Sequence, residues 1–98
     1  MHRVVFAPEA NKQLVELYRY VAERGSPAVA TSFTGAIVDY CERLAHFPRR
    51  GTKREDIRPG LRTIGFRRRV TIAFTVDATT VTVLGVYYGG RDFETSLR

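Results

Sequence analysis

Cysteine and histidine are scarce in this 98-residue chain, and tryptophan is missing altogether. The one cysteine, Cys41, has no partner for an internal disulfide. His2 and His46 lie far apart in sequence, and no Cys/His cluster has the spacing of zinc ligands. No metal is therefore expected. No apolar run approaches the roughly 18 residues that a membrane span needs. His2-Arg3 is not followed by the long apolar stretch of a signal peptide. These absences exclude a disulfide scaffold, a zinc module and a membrane helix. The expectation is a cytoplasmic protein with no membrane partner.

What is present suits a folded domain. The chain is 44% hydrophobic and 27% charged. At this length, residues 1–98 make one domain. Folding buries about 60–70% of the surface exposed by the unfolded chain, enough for one modest core.

Acidic side chains are outnumbered ten to sixteen, and the net charge is +6. The excess is local. Between Arg49 and Arg69 lie nine basic residues and two acids, Glu55 and Asp56. The rest of the chain is close to neutral. Fourteen of the sixteen basic residues are Arg, which binds carboxylate and phosphate bidentately. A patch of this kind attracts an anionic partner and speeds the encounter. A solvated basic loop is the plain alternative.

The order of elements follows from periodicity and punctuation. Val4-Val5-Phe6 reads as a short strand. Pro8 suits the first turn of a helix. Ala10, Leu14, Leu17, Tyr18 and Val21 then recur at helical spacing, and Gly25 is placed to end the helix as a left-handed cap. Ser26-Pro27 starts a second helix, Ser26 as N-cap. Its apolar face is Val29, Phe33, Ala36, Ile37, Tyr40, Leu44 and Phe47, and Pro48 stops it. So short a junction makes the two helices a hairpin.

Arg49 to Gly60 has no period and reads as a loop. Leu61–Phe66 is strand-like, and Arg67–Arg69 is a charged turn or the start of the next strand. Val70, Ile72, Phe74 and Val76 alternate with Thr71, Ala73 and Thr75, a strand with period two. Asp77–Thr80 makes a hairpin turn, with Asp77 as turn former. Val81–Tyr88 is apolar on both faces, as an interior strand is. Gly89-Gly90 breaks it, and Arg91–Arg98 is a polar tail with room for one helical turn. The fold class is α+β, in the order β-α-α-β-β-β, with the helical hairpin packed on a mostly antiparallel sheet. Cys41 reads as a small core residue. His46 suits a helix C-terminus.

Four segments carry a resemblance that spans nearly the whole chain. They are Phe6-Ala7-Pro8-Glu9-Ala10 with its Leu-rich helix, Phe47-Pro48-Arg49-Arg50-Gly51, Ile57-Arg58-Pro59-Gly60-Leu61-Arg62, and the run from Val81 through Tyr87-Tyr88-Gly89-Gly90-Arg91-Asp92. In this order they resemble the RelE/ParE superfamily of toxins from type II toxin–antitoxin systems. The resemblance implies one of two activities. RelE-like members cut messenger RNA in the ribosome, whereas ParE-like members poison DNA gyrase.

Cleavage of RNA needs a base, an acid and a cation for the phosphorane-like transition state. RelE-like enzymes carry an Arg three residues before the central aromatic of the long strand. Here that aromatic is Phe74 and the matching residue is Thr71. They carry an Arg just after the last strand, where this chain has Gly89, and a Tyr in the tail, where none follows Tyr88. If ribonuclease chemistry operates, Arg62, Arg68, Tyr88 and Arg91 are the groups left to perform it. An ordinary Tyr titrates near pH 10 and needs help to act as a base.

The long helical hairpin and the Gly90-Arg91-Asp92 ending resemble the ParE-like branch. The resemblance then implies a gyrase inhibitor without cofactor, neutralised by an antitoxin whose C-terminal segment is acidic. Nucleic acid would be met only through the target. The residues expected at the target or antitoxin surface are Arg49, Arg50, Lys53, Arg54, Arg58 and Arg91. The alternative is a RelE-like ribosome-dependent mRNA endoribonuclease.

Overall fold

A computed structural model describes residues 1–89 and 92–98. β1 (Arg3–Phe6) leads into α1 (Pro8–Arg24) and α2 (Pro27–Glu42), and a 3₁₀ turn follows over Arg43–Ala45. β2 (Thr52–Lys53), β3 (Arg62–Phe66), β4 (Val70–Val76) and β5 (Thr80–Tyr88) come next, then α3 (Phe93–Leu97). The sheet order is β1-β5-β4-β3-β2, with β1 parallel to β5 and the other pairs antiparallel. The expected α+β architecture is present, and the short β2 and α3 extend it.

Local chemistry explains the helix boundaries. Pro8 opens α1, and Pro27 opens α2 behind Ser26, whose Oγ accepts a hydrogen bond from Val29 N at 3.2 Å. Gly25 does not adopt the left-handed conformation expected of it. Its φ is −124°, and its N–H closes α1 by donating to Val21 O at 2.8 Å. The second helix is also shorter than expected. It stops at Glu42, and the tighter 3₁₀ turn rotates the following residues off the α-helical stripe. Leu44 stays buried, but Phe47 is 71% exposed. Val29, in the first turn of α2, is exposed as well.

One face of the sheet packs under the helical hairpin. Ile72, Phe74, Val81, Val83 and Val86 meet Ala10, Leu17, Ile37, Cys41 and Leu44 there. Phe74 is fully buried, and truncating such a Phe to Ala costs about 3–5 kcal/mol. Burial pushes the Cys41 thiol up to about 12, with Glu42 adding to the shift. At neutral pH it is therefore a protonated core side chain. The other face is covered by α3, where Ile57, Leu61, Ala73, Tyr87 and Leu97 form a second, smaller core.

β5 serves both cores through a bulge. Ala73 pairs with Gly85 but Phe74 pairs with Val83, which leaves Leu84 as the extra residue. The bulge reverses the alternation. Val81 and Val83 point to the helical hairpin before it, and Val86 and Tyr88 do so after it. Leu84 and Tyr87 point to α3. No helix among the described residues is long and apolar enough to cross a membrane.

Candidate functional site

The basic residues expected at a binding surface fall into three situations. Arg49 and Arg50 are exposed just after the 3₁₀ turn, where they line a shallow depression with His46, Phe47 and Pro48. Lys53, on the two-residue edge strand, and Arg58, in the following turn, are exposed too. Arg54 is different. Its Nε and Nη2 donate to the two carboxylate oxygens of Asp56 at 3.0 and 2.9 Å, and Glu94 Oε2 lies 3.6 Å from Nη2. The guanidinium also sits over the Phe93 ring at 5.8 Å. Arg54 therefore ties the segment after β2 to α3. The hydrogen bond from Arg54 holds the Asp56 carboxyl below its usual range. Arg91 lies outside the described residues.

Of the described residues left for ribonuclease chemistry, Arg62 lies apart from Tyr88 and Arg68. Arg62 pairs with Phe74 at one end of β4, and its Nη1 donates to Arg50 O at 3.4 Å. Tyr88 pairs with Val70 at the other end of β4, about 13 Å along the strand. Arg68 is at that end also, in the β3–β4 turn. Tyr88 faces the helical hairpin, 6.1 Å from Phe33 and 5.6 Å from Tyr20 between ring centres. Tyr87 points the opposite way and is 5% exposed, stacked near Phe93 with its OH donating to Ser96 Oγ at 3.2 Å. Thr71 stands in β4 between Gly65 and Tyr87. A hydroxyl occupies that point of the sheet, not a cation.

Two further features escape a reading by stripes. The first is an apolar groove of about 610 Å³ on the outer side of the helical hairpin. Leu14, Val15, Tyr18, Thr34, Gly35 and Val38 line it, with Arg19 and Asp39 among its other residues. Assigning each helix one apolar face, covered by the sheet, hides this second face. The signal was present in Val15 and Val38, apolar residues off the main stripes. Val15 is 49% exposed.

The second is the edge of β5. β1 pairs only with Thr80–Val83, and Ala7 N makes the last bond of that ladder, to Val83 O at 2.9 Å. Beyond it, Val86 N donates to Gln13 Oε1 at 2.6 Å. A side chain of α1 thus replaces the missing strand. A pocket of about 220 Å³ opens beside it, lined by Gln13, Glu16, Leu17, Tyr20, Val86 and Tyr88.

Comparison with known proteins places this architecture. Residues 4–93 match the family model described as ParE toxin of type II toxin-antitoxin system, parDE. The chain is 36% identical over 67 residues to Toxin ParE3 of Caulobacter vibrioides (strain ATCC 19089 / CIP 103742 / CB 15), covering 68% of this chain and 67% of that toxin. Its fold is similar to that of a chain in the solved chromosomal ParDE TA system from P. aeruginosa. The TM-score is 0.79 at 21% identity, covering 91% of this chain and 97% of the other. The resemblance read from the four sequence segments is thereby borne out, and the chain belongs to the ParE toxin family of type II toxin–antitoxin systems.

Proposed function

We propose that this toxin acts in the cytoplasm on DNA gyrase, stabilising the cleaved-DNA intermediate, and needs no cofactor. The supporting observation is the content of β4. Thr71 occupies the position that RelE-like ribonucleases fill with Arg, between Gly65 and Tyr87. A neutral hydroxyl cannot neutralise a dianionic phosphorane as a guanidinium does. The exposed cations Arg49, Arg50, Lys53 and Arg58 are then free to meet the target. Arg54 contributes by fixing the segment that carries them. A supercoiling assay with purified chain tests this. Loss of gyrase activity on titration with the toxin supports it, and full activity at saturating toxin contradicts it.

The same reading includes a cognate antitoxin. Its C-terminal segment is acidic, to match a chain of charge +6, and partly apolar. A disordered segment offsets its ordering cost by burying apolar surface. The groove around Leu14, Val15, Tyr18 and Val38 offers that surface, and a strand added at the edge of β5 would take the place of the Gln13 side chain on Val86 N. Binding measured at about 50 and about 500 mM salt separates the two contributions. Affinity should fall with salt but persist. An affinity unchanged by salt removes the electrostatic part.

A further inference from the structure

The turn between β3 and β4 carries Arg67, Arg68 and Arg69 side by side, all exposed. Phe66 O accepts from Arg69 N at 3.2 Å, and the two central residues, Arg67 and Arg68, have φ of +49° and +61°. Positive φ at both central positions is the I′ pattern, whose favoured residues are Asn and Gly. Two long side chains therefore occupy positions that local backbone energetics assign to the smallest residues. Such outliers persist only where the surroundings hold them, and they concentrate at functional sites.

The surroundings hold this turn firmly. Phe66 at its base is buried and packs 5.0 Å from Tyr40 and 6.3 Å from Phe33 between ring centres. The Arg67 guanidinium lies 4.8 Å over the Phe66 ring. Gly89 N donates to Arg69 O at 2.7 Å, clamping the turn to the end of β5. A fourth cation lies at this end of the sheet. Arg24 sits 3.8 Å over the Tyr20 ring, and Tyr20 packs against Tyr88, which pairs with Val70. None of Arg67, Arg68 and Arg69 makes an ion pair among the described residues. β3, β4 and β5 contain no Asp or Glu. Three adjacent charges thus stand on one anchored turn with no ion-pair partner among the described residues.

We propose that this turn is a contact site for the phosphate backbone of duplex DNA. Guanidiniums bind phosphate oxygens bidentately. A narrow, rigid turn suits the grooved surface of a duplex. Its one aromatic, Phe66, is buried under the helices, so bases of a single strand find no stacking platform at the turn. An acidic peptide would bury its side chains in the neighbouring pocket of Leu17, Tyr20, Val86 and Tyr88, which none of the three arginines lines. Contacts of this kind position a protein without reading sequence. The proposal adds a DNA contact made by the toxin itself and does not depend on gyrase being the target.

The experiment uses the full chain and a labelled duplex of random sequence, with affinity measured by anisotropy between about 50 and 200 mM salt. The substitution R67N/R68G gives the turn its preferred residues, so its melting temperature should equal or exceed that of the parent. It should also reduce the slope of log affinity against log salt by about two. R67K/R68K, which keeps both charges, should keep most of the slope. R3Q/R43Q removes two exposed charges at the opposite end of β5, where Arg3 pairs with Thr80, and should change the slope by less than half as much. An unchanged slope in R67N/R68G overturns the proposal. So does an equal loss in R3Q/R43Q, which reports diffuse charge. Tighter binding of the single strand, or equal competition by polyglutamate of matched charge, overturns the assignment to duplex DNA. No arm contains gyrase, so failure here leaves the gyrase reading standing.

Discussion

The Gln13 side chain stands in for a missing β-strand: its Oε1 accepts the Val86 N–H at 2.6 Å, across 73 residues of sequence. Replacing Gln13 by Ala leaves a partly buried backbone donor without its partner. The expected loss is about 1–3 kcal/mol, or a melting temperature lower by roughly 4–8 °C per kcal/mol in a domain this size. Ala is the better helix former, so the loss cannot come from α1 itself. Thermal unfolding of the variant checks it.

Gly85 is required for a different reason. A Cβ there would meet the Tyr87 ring at 2.5–2.7 Å. Moving that ring aside disturbs its contacts with Phe93 and Ser96 of α3. Gly85→Ala should cost about 1–3 kcal/mol and loosen α3, read as faster proteolysis at the C-terminus. Tyr87→Phe keeps the ring and loses only the bond to Ser96, so it should cost at most about 1 kcal/mol.

Acid should weaken the fold through three exposed carboxylates. Backbone N–H groups of Thr79 and Thr80 lower the Asp77 pKa, Arg54 lowers that of Asp56, and Thr95 lowers that of Asp92. A carboxylate with a depressed folded-state pKa stabilises fully above its unfolded value, near 4. That contribution is lost as pH falls through the folded value. Melting temperature should be flat from about pH 7 to 5 and drop below about pH 4. Asp77→Asn should start lower at pH 7 and show a smaller acid drop.

The outer groove gives a prediction that separates partners. Val15 is 49% exposed on its lining, so Val15→Glu should fold normally. It should weaken antitoxin binding by at least about tenfold, the equivalent of 1.4 kcal/mol, while gyrase inhibition by free toxin persists. Calorimetry against the antitoxin and a supercoiling titration report the two effects separately.

Sequence alone reached the architecture where chemistry is local. Ser26-Pro27 marked the helix junction, Asp77 marked a turn whose backbone it does bond, and the alternation from Val70 to Val76 marked β4. It fell short where geometry is collective. The Leu84 bulge cannot be seen in a run that is apolar at every position. Parallel pairing of β1 with β5 joins residues 77 apart in register, such as Arg3 with Thr80. Phe47 left its stripe because a 3₁₀ turn changed the period, and no residue type signals that change. Arg54 looked like its exposed neighbours until α3 brought Glu94 beside it. The groove was missed because Val15 and Val38 belong to a second apolar face that no element among the described residues covers.

Gyrase and the ribosome can be compared as targets in one experiment. Purified toxin is added in parallel to gyrase with supercoiled plasmid and to a translating extract with a reporter messenger. Detergent-trapped cleaved plasmid and cleaved messenger are read on the same gel. Action on gyrase gives trapped cleaved plasmid that disappears when antitoxin is added, with the messenger intact. Intact plasmid beside a messenger cut in the ribosome would contradict it and return Arg62, Arg68, Tyr88 and Arg91 to the centre of the mechanism.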